Sequence, residues 1–315
     1  MTKTLFTFFY GIVLSIGLSS SALAAEFDPS QATKQQGFFN TFWLESTGEL
    51  WLEVDKFNQD FLFVNGYAAG IGSNDIGIDR GRLAAQRMVH FELKGPKVLL
   101  VESNSFFRTD SREPAQQQAV RDAFARSVIW GFEAKQLGAS TFIKLNDFLL
   151  HDTGGLGALL KRQKQGNYTI DKSRSALEPG QTKNFPRNTE IETTLTFTGT
   201  EAGEFVRAVS PDPGAITLRS HVSLIALPET IMKARAYHPR SGAWPFTYRN
   251  HGAGLDQPMD ISHTVRHRLE KKVPGSAASE ALEPIVYYID PGAPAAERQA
   301  LIDGARWWNQ AFTAA

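Results

Sequence analysis

Apolar and polar residues alternate with period two in many short stretches of this chain, the pattern of half-buried strands. Residues 190–198 are the clearest case. There Ile191, Thr193, Leu195 and Phe197 face one way, and Glu190, Glu192, Thr194 and Thr196 the other. Leu50, Leu52 and Val54 share one face of a strand, and residues 61–64 form another. Residues 87–93 set Val89, Phe91 and Leu93 against Met88, His90 and Glu92. Gly95-Pro96 then turns the chain into residues 97–101, which reads as a hairpin. Further strands are expected at 141–150, 205–209, 215–218 and 221–227, and residues 242–258 read as irregular.

Helical spacing is rarer. Glu113-Pro114 opens one helix, with Val120, Ala123, Phe124 and Val128 on one side, closing near Gly131. A second follows at the far end. Residues 285–289 are a β-branched and aromatic run with the composition of a buried strand. Asp290-Pro291-Gly292 turns the chain, and Pro294 suits the first turn of a helix. Leu301, Ala305, Trp308 and Phe312 then share a helical face that Trp307 widens. Burying each large side chain is worth roughly 1.5–3 kcal/mol, so this helix calls for a core to lie on. Residues 273–283, rich in small and polar residues around Pro274-Gly275, read as a linker. The organisation expected is a mainly antiparallel β domain of the α+β class over 38–272, a linker over 273–283, and the opening strand and helix of a second, truncated domain over 284–315.

The N-terminus changes the compartment. Lys3, the apolar run from residue 5 to 18, and Ala22-x-Ala24 make a secretory signal peptide over 1–24. Its apolar run of about 14 residues reaches roughly 21 Å as a helix, short of a hydrocarbon core of roughly 30 Å. No other apolar run is long enough to span, so the expected location is periplasmic or secreted, with no membrane span after cleavage. Residues 25–37 read as a flexible lead-in. Lys+Arg and Asp+Glu both number 33, so net charge gives no reason to expect nucleic acid as a partner. There is no cysteine, so no disulfide and no thiolate metal site exists, and stability must come from the core.

Candidate chemistry is thin. His263 and His267 form an HxxxH pair, which on a helix would face one metal. Thr264 stands where a zinc peptidase has its glutamate, and on a strand the two rings would lie roughly 13 Å apart. Hydrogen-bonded or solvated histidines are the favoured reading. Residues 74–79 place Asn74, Asp75 and Asp79 among glycines, as calcium loops do, but without EF-hand alternation or a closing glutamate, so a tight structural loop is favoured. Gly70-Ile71-Gly72 and Gly154-Gly155-Leu156-Gly157 complete no nucleotide motif. Asp171 to Arg174 and Pro186 to Asn188 read as polar surface. No catalytic, cofactor-binding or metal residue is assigned.

A resemblance adds a family. The segments 284–288 (PIVYY), the GAP turn at 292–294 and 304–312 (GARWWNQAF) resemble the start of the catalytic domain of bacterial secreted zinc-dependent metallopeptidases of the metzincin type. GSNDIGIDRG (72–81), SVIWGFEA (127–134), DKSRS (171–175), TKNFPRNTEIETTLTF (182–197), HPRSG (238–242) and RHRLEKK (266–272) resemble segments that accompany that domain. The resemblance implies a zincin-like α/β domain begun at 284, zinc in the full-length parent, and a protein or peptide substrate there. The family's HExxHxxGxxH motif is not among these residues, so this chain is expected to be the non-catalytic N-terminal portion, with its own catalytic domain as partner. The alternative is a free-standing periplasmic binding module without enzymatic activity.

Overall fold

The computed structural model of the chain describes residues 27–314, and the signal peptide read at 1–24 lies outside them. The chain first lays down strands β1 (Thr33–Gln35), β2 (Thr41–Leu44), β3 (Glu49–Val54), β4 (Phe61–Ala69), β5 (Leu83–Lys94), β6 (Lys97–Glu102) and β7 (Phe107–Arg108). Helix α1 (Pro114–Ala123) follows, then β8 (Ser127–Leu137), β9 (Ser140–Lys144), α2 (Asn146–Leu149) and α3 (Leu156–Arg162). Next come β10 (Asn167–Ile170), β11 (Ala176–Leu177), β12 (Lys183–Phe185), β13 (Asn188–Thr200), α4 (Glu204–Val209) and β14 (Ala215–Ala226). The last elements are β15 (Pro245–Asn250), β16 (Asp260–Thr264) and α5 (Ala295–Ala314). Strand makes up 37% and helix 20%, so the fold is mainly antiparallel β with helices, as the alternation implies.

Two units divide the residues, and three of the five boundaries fall inside β4, β8 and β14. The first takes in residues up to Asp55, Tyr67–Arg82 and Ala134–His221. Within it β1, β2, β3, β9 and the end of β8 pair in that order, all antiparallel. β13 carries β10, β11 and β12 along its length. Its buried residues Ile191, Leu195 and Phe197 are the apolar face read from the sequence. Leu195 and Phe197 meet Leu156 and Leu160 of α3, Val206 of α4, and Ile216 and Leu218 of β14. The loop at 70–81 is anchored in the same core by Ile76 and Ile78, both almost fully buried. Gly70 lies so close to this loop that a Cβ there would sit 2.1 Å from the Ile78 carbonyl oxygen.

The second unit holds Lys56–Gly66, Leu83–Glu133 and the residues from Val222 onward. The antiparallel run β4, β5, β6 and the first part of β8 forms its sheet, with the expected hairpin closed by Lys94 opposite Lys97. Phe61, Phe91 and Phe132 pack on one side of it. A smaller sheet joins β16 to β15 antiparallel and β15 to β7 parallel.

Six stretches depart from the sequence expectations, the first being residues 242–258, which read as irregular but carry β15, held by its pairing with β16 and β7. The lead-in expected to be flexible over 25–37 carries β1 within its described residues. Asn184 donates to the Gln35 carbonyl at 2.8 Å, and Phe27 stacks on Trp51 at 4.2 Å. The helix expected to reach Gly131 ends at Ala123, because Phe124 turns extended and stacks on Phe107 with centroids 4.4 Å apart. Residues 127–131 belong to β8 instead. After Lys144 the chain makes α2 rather than continuing the strand expected at 141–150. Residues 205–209 are helical, not extended, because Gln165 reaches in and its side-chain oxygen accepts from the N–H groups of Phe205 (3.1 Å) and Val206 (3.3 Å). The strand expected at 285–289 does not form: these residues have no pairing strand among the described residues, and Tyr288 is 92% exposed.

Candidate interaction surface

The last thirty residues of the second unit follow from local rules at their start. The Asp290 carboxylate accepts from the Gly292 N–H at 2.7 Å and closes the turn that the sequence marks. Pro294 then precedes α5, and Arg298 N–H donates to its carbonyl at 2.8 Å. The helix forms as its spacing predicts, but it buries no residue. Trp307 is 72% exposed and Trp308 67%, with Leu301 and Phe312 also more than half exposed. Val286, Tyr287 and Tyr288 ahead of the helix are exposed as well. Single exposed apolar residues are ordinary, whereas a run of large ones on one element marks an interaction surface.

Trp308 and Phe312 form one wall of a groove of about 520 Å³ with Ile285 and Tyr287. Arg235, Arg266 and His267 supply its polar side, and no carboxylate lines it. Arg266 donates to the Lys233 carbonyl at 2.7 Å, while its buried Nε has no hydrogen-bond partner in the protein. The groove therefore combines aromatic faces with uncompensated positive charge, a surface suited to an apolar segment that carries an acid.

The residues singled out in the sequence do not gather into a catalytic constellation. His263 lies on β16 opposite Phe246, its ring 5.7 Å from that of Tyr248, and His267 lies past the strand end at the groove. The pair has no helix to share. The loop at 74–79 is held by its two isoleucines and by a backbone bond from Gly77 to Ser73. Asp171 accepts from the Ser173 N–H at 3.0 Å and the Arg174 Nε at 2.8 Å, closing a short turn. Residues 186–188 form the bend between β12 and β13, where Phe185 pairs with Asn188. At 154–157 the glycines serve the start of α3, where the Asp152 carboxylate accepts from the N–H groups of Leu156 (2.8 Å) and Gly157 (2.9 Å). Among the described residues no group of three or more His, Asp or Glu side chains is placed to hold a metal ion.

Two charged clusters escaped the sequence reading. On β5, His90 has Nδ1 3.1 Å from Asp60 and 3.2 Å from the Ser103 hydroxyl, and Nε2 3.1 Å from Glu92. On β14, His221 has Nε2 2.7 Å from Glu190 and Nδ1 3.2 Å from Glu192. A nucleophilic triad puts serine and acid on opposite ring nitrogens, but here Ser103 and Asp60 share one and Glu92 takes the other. A metal needs its ligands on one side, but each of these imidazoles separates its carboxylates. Both clusters instead favour imidazolium. The Asp60 hydrogen bond raises the His90 pKa against the opposing effect of burial, helped by Glu92. The Glu190 hydrogen bond does the same for His221. Burial pushes the Glu92 carboxyl up, but the bonds from Arg126 and His90 outweigh it and leave the pKa lowered. The sequence signal was present as Glu190-x-Glu192 and His90-x-Glu92, but only the cross-strand register joins each to its partner.

No curated protein and no solved structure matches the chain. Among families, residues 25–70 match the one described as Domain of unknown function (DUF5118). Residues 81–272, more than half of the chain, match a second, and the chain therefore belongs to the family described as Domain of unknown function (DUF5117).

Proposed function

We propose that this chain is the non-catalytic N-terminal portion of an exported, periplasmic or secreted, zinc-dependent metallopeptidase, and that its aromatic surface receives the catalytic domain. The observation that carries the reading is the exposure of Trp307, Trp308 and Phe312 on a well-formed helix. Their burial against a following domain would contribute roughly 1.5–3 kcal/mol each. The resemblance of residues 284–312 to the opening of a metzincin-type catalytic domain supplies the identity of that partner.

The clusters among the described residues do not fit a zinc ion. The carboxylates around His90 and His221 sit on opposite ring nitrogens, and His263 is held on β16 among aromatic rings. No step of peptide hydrolysis is therefore assigned to these residues. Their contribution is to present a folded surface on which the catalytic domain is scaffolded or covered. Expressing the catalytic domain with and without residues 27–314 tests this. The expected result is soluble, zinc-dependent peptidase only when both are present, and a catalytic domain equally soluble and active alone contradicts it.

A further inference from the structure

The edge of the smaller sheet carries positive charge that the chain leaves unpaired. Past the end of β16 the backbone keeps its direction, with the Val265 N–H donating to the Trp244 carbonyl at 2.8 Å. Residues 235–237 run antiparallel beside it. Tyr237 N–H donates to the Ser262 carbonyl at 3.0 Å, Thr264 N–H to the Arg235 carbonyl at 2.9 Å, and Ala236 stands opposite His263. That register sets Arg235 opposite Thr264. Thr264 and Arg266 are two apart and share a face, so Arg235 and Arg266 point the same way from neighbouring strands, as diagonal neighbours roughly 7–8 Å apart. Both line the groove of about 520 Å³ beside Trp308 and Phe312. Arg235 is exposed. Arg266 spends Nη2 on the Lys233 carbonyl, while its Nη1 is unbonded and open to solvent. Among the described residues no acidic side chain pairs with either arginine, whereas Arg268, next on the same face, is met by Glu270 at 3.8 Å. Like charges on neighbouring strands repel, and an incoming carboxylate removes that cost. An acid alone would leave the aromatic side of the groove uncovered, and an apolar segment alone would bury two unpaired cations. The occupant that fits therefore carries both.

We infer that this groove is a socket for one acidic anchor of the following domain, an aspartate or glutamate flanked by apolar residues. Its carboxylate accepts from Arg235 and Arg266, and its apolar neighbours lie on Trp308 and Phe312. The source of the segment rests on the proposed catalytic partner, whereas its chemistry rests on the groove. Three blocked peptides test the chemistry by tryptophan fluorescence on residues 27–314: acetyl-Leu-Glu-Leu-amide, its glutamine counterpart, and acetyl-Gly-Glu-Gly-amide. The first is expected to bind saturably, with a signal lost in Trp308→Ala, and the other two at least tenfold more weakly. Arg235→Gln, at an exposed side chain without a partner, should leave the fold intact and weaken the first peptide at least tenfold, as the loss of one member of a charge pair does, while leaving the glutamine peptide unchanged. Arg266→Gln should act in the same direction, and Arg235→Gln decides the matter if Arg266→Gln does not fold. No saturable binding, equal binding of the glutamate and glutamine peptides, or binding indifferent to Arg235→Gln would overturn the proposal. The isolated catalytic domain separates the two readings. Association weakened by Trp308→Ala but not by Arg235→Gln would remove the anchor and keep the partner. Peptide binding as expected without association of that domain would keep the socket and remove the partner.

Discussion

Replacing Trp308 and Phe312 by alanine separates an interaction surface from a core. In the chain alone these side chains are 67% and 53% exposed. Exposed positions away from caps and networks change stability by no more than about 0.5 kcal/mol, so each substitution should leave the unfolding midpoint almost unmoved. Phe39 gives the contrast: it is fully buried, and Phe39→Ala should cost about 3–5 kcal/mol. Against the proposed catalytic domain the order should reverse. A buried aromatic anchor at an interface is worth about 2 kcal/mol or more, which is roughly thirtyfold in affinity. Trp308→Ala should therefore weaken association by that factor, and Phe39→Ala only through unfolding. Urea unfolding followed by far-ultraviolet circular dichroism gives the first number, and titration of the catalytic domain gives the second. A loss of 2 kcal/mol or more in the chain alone on Trp308→Ala would refute the reasoning, because the helix would then already lie on the chain's own core. Unchanged association would refute it from the other side.

Two further outcomes follow from local geometry. Gly157→Ala should destabilise by about 1–3 kcal/mol despite the better helix propensity of alanine, because its Cβ would meet the Tyr168 carbonyl oxygen at 2.6 Å; a gain in urea midpoint would show that α3 shifts freely. His221 faces Glu190 and Glu192, with Arg219 3.8 Å from Glu192. Its folded pKa is raised above the ordinary 6.5, so its stabilisation is fully present below 6.5 and is lost as pH climbs through the raised value. The stability difference between the parent chain and His221→Gln should accordingly be largest in mild acid and shrink toward alkaline pH, and a difference that grows with pH contradicts the ion-pair assignment.

How far the sequence reached depended on whether the deciding contact was local. β13 and the β5–β6 hairpin were legible because a strand with one buried face writes that face as alternation, and Gly95-Pro96 marks the turn between the hairpin strands. α5 was legible because helical spacing survives even without a partner. Residues 205–209 were misread because their apolar run fits either period, and the group that makes them helical is the Gln165 side chain, forty residues earlier. The same holds for Phe124, whose exit from α1 is set by stacking on Phe107 and by a tilted contact with the His251 ring. β1 escaped because its sequence is polar, and its place depends on Asn184 and on the pairing with β2. The site was less legible than the fold. The aromatic face of α5 could be read directly, but the His90 and His221 clusters depend on register between strands that no local pattern encodes.

The central claim is that residues 284–314 lead into a zinc peptidase domain that covers the aromatic surface. Reading the coding sequence beyond the codon for Ala315 tests it most directly. The account predicts an open frame, in phase or displaced by a base, that encodes HExxHxxGxxH. A stop codon with no such motif in any frame downstream would contradict it and leave the surface to a separate binding partner.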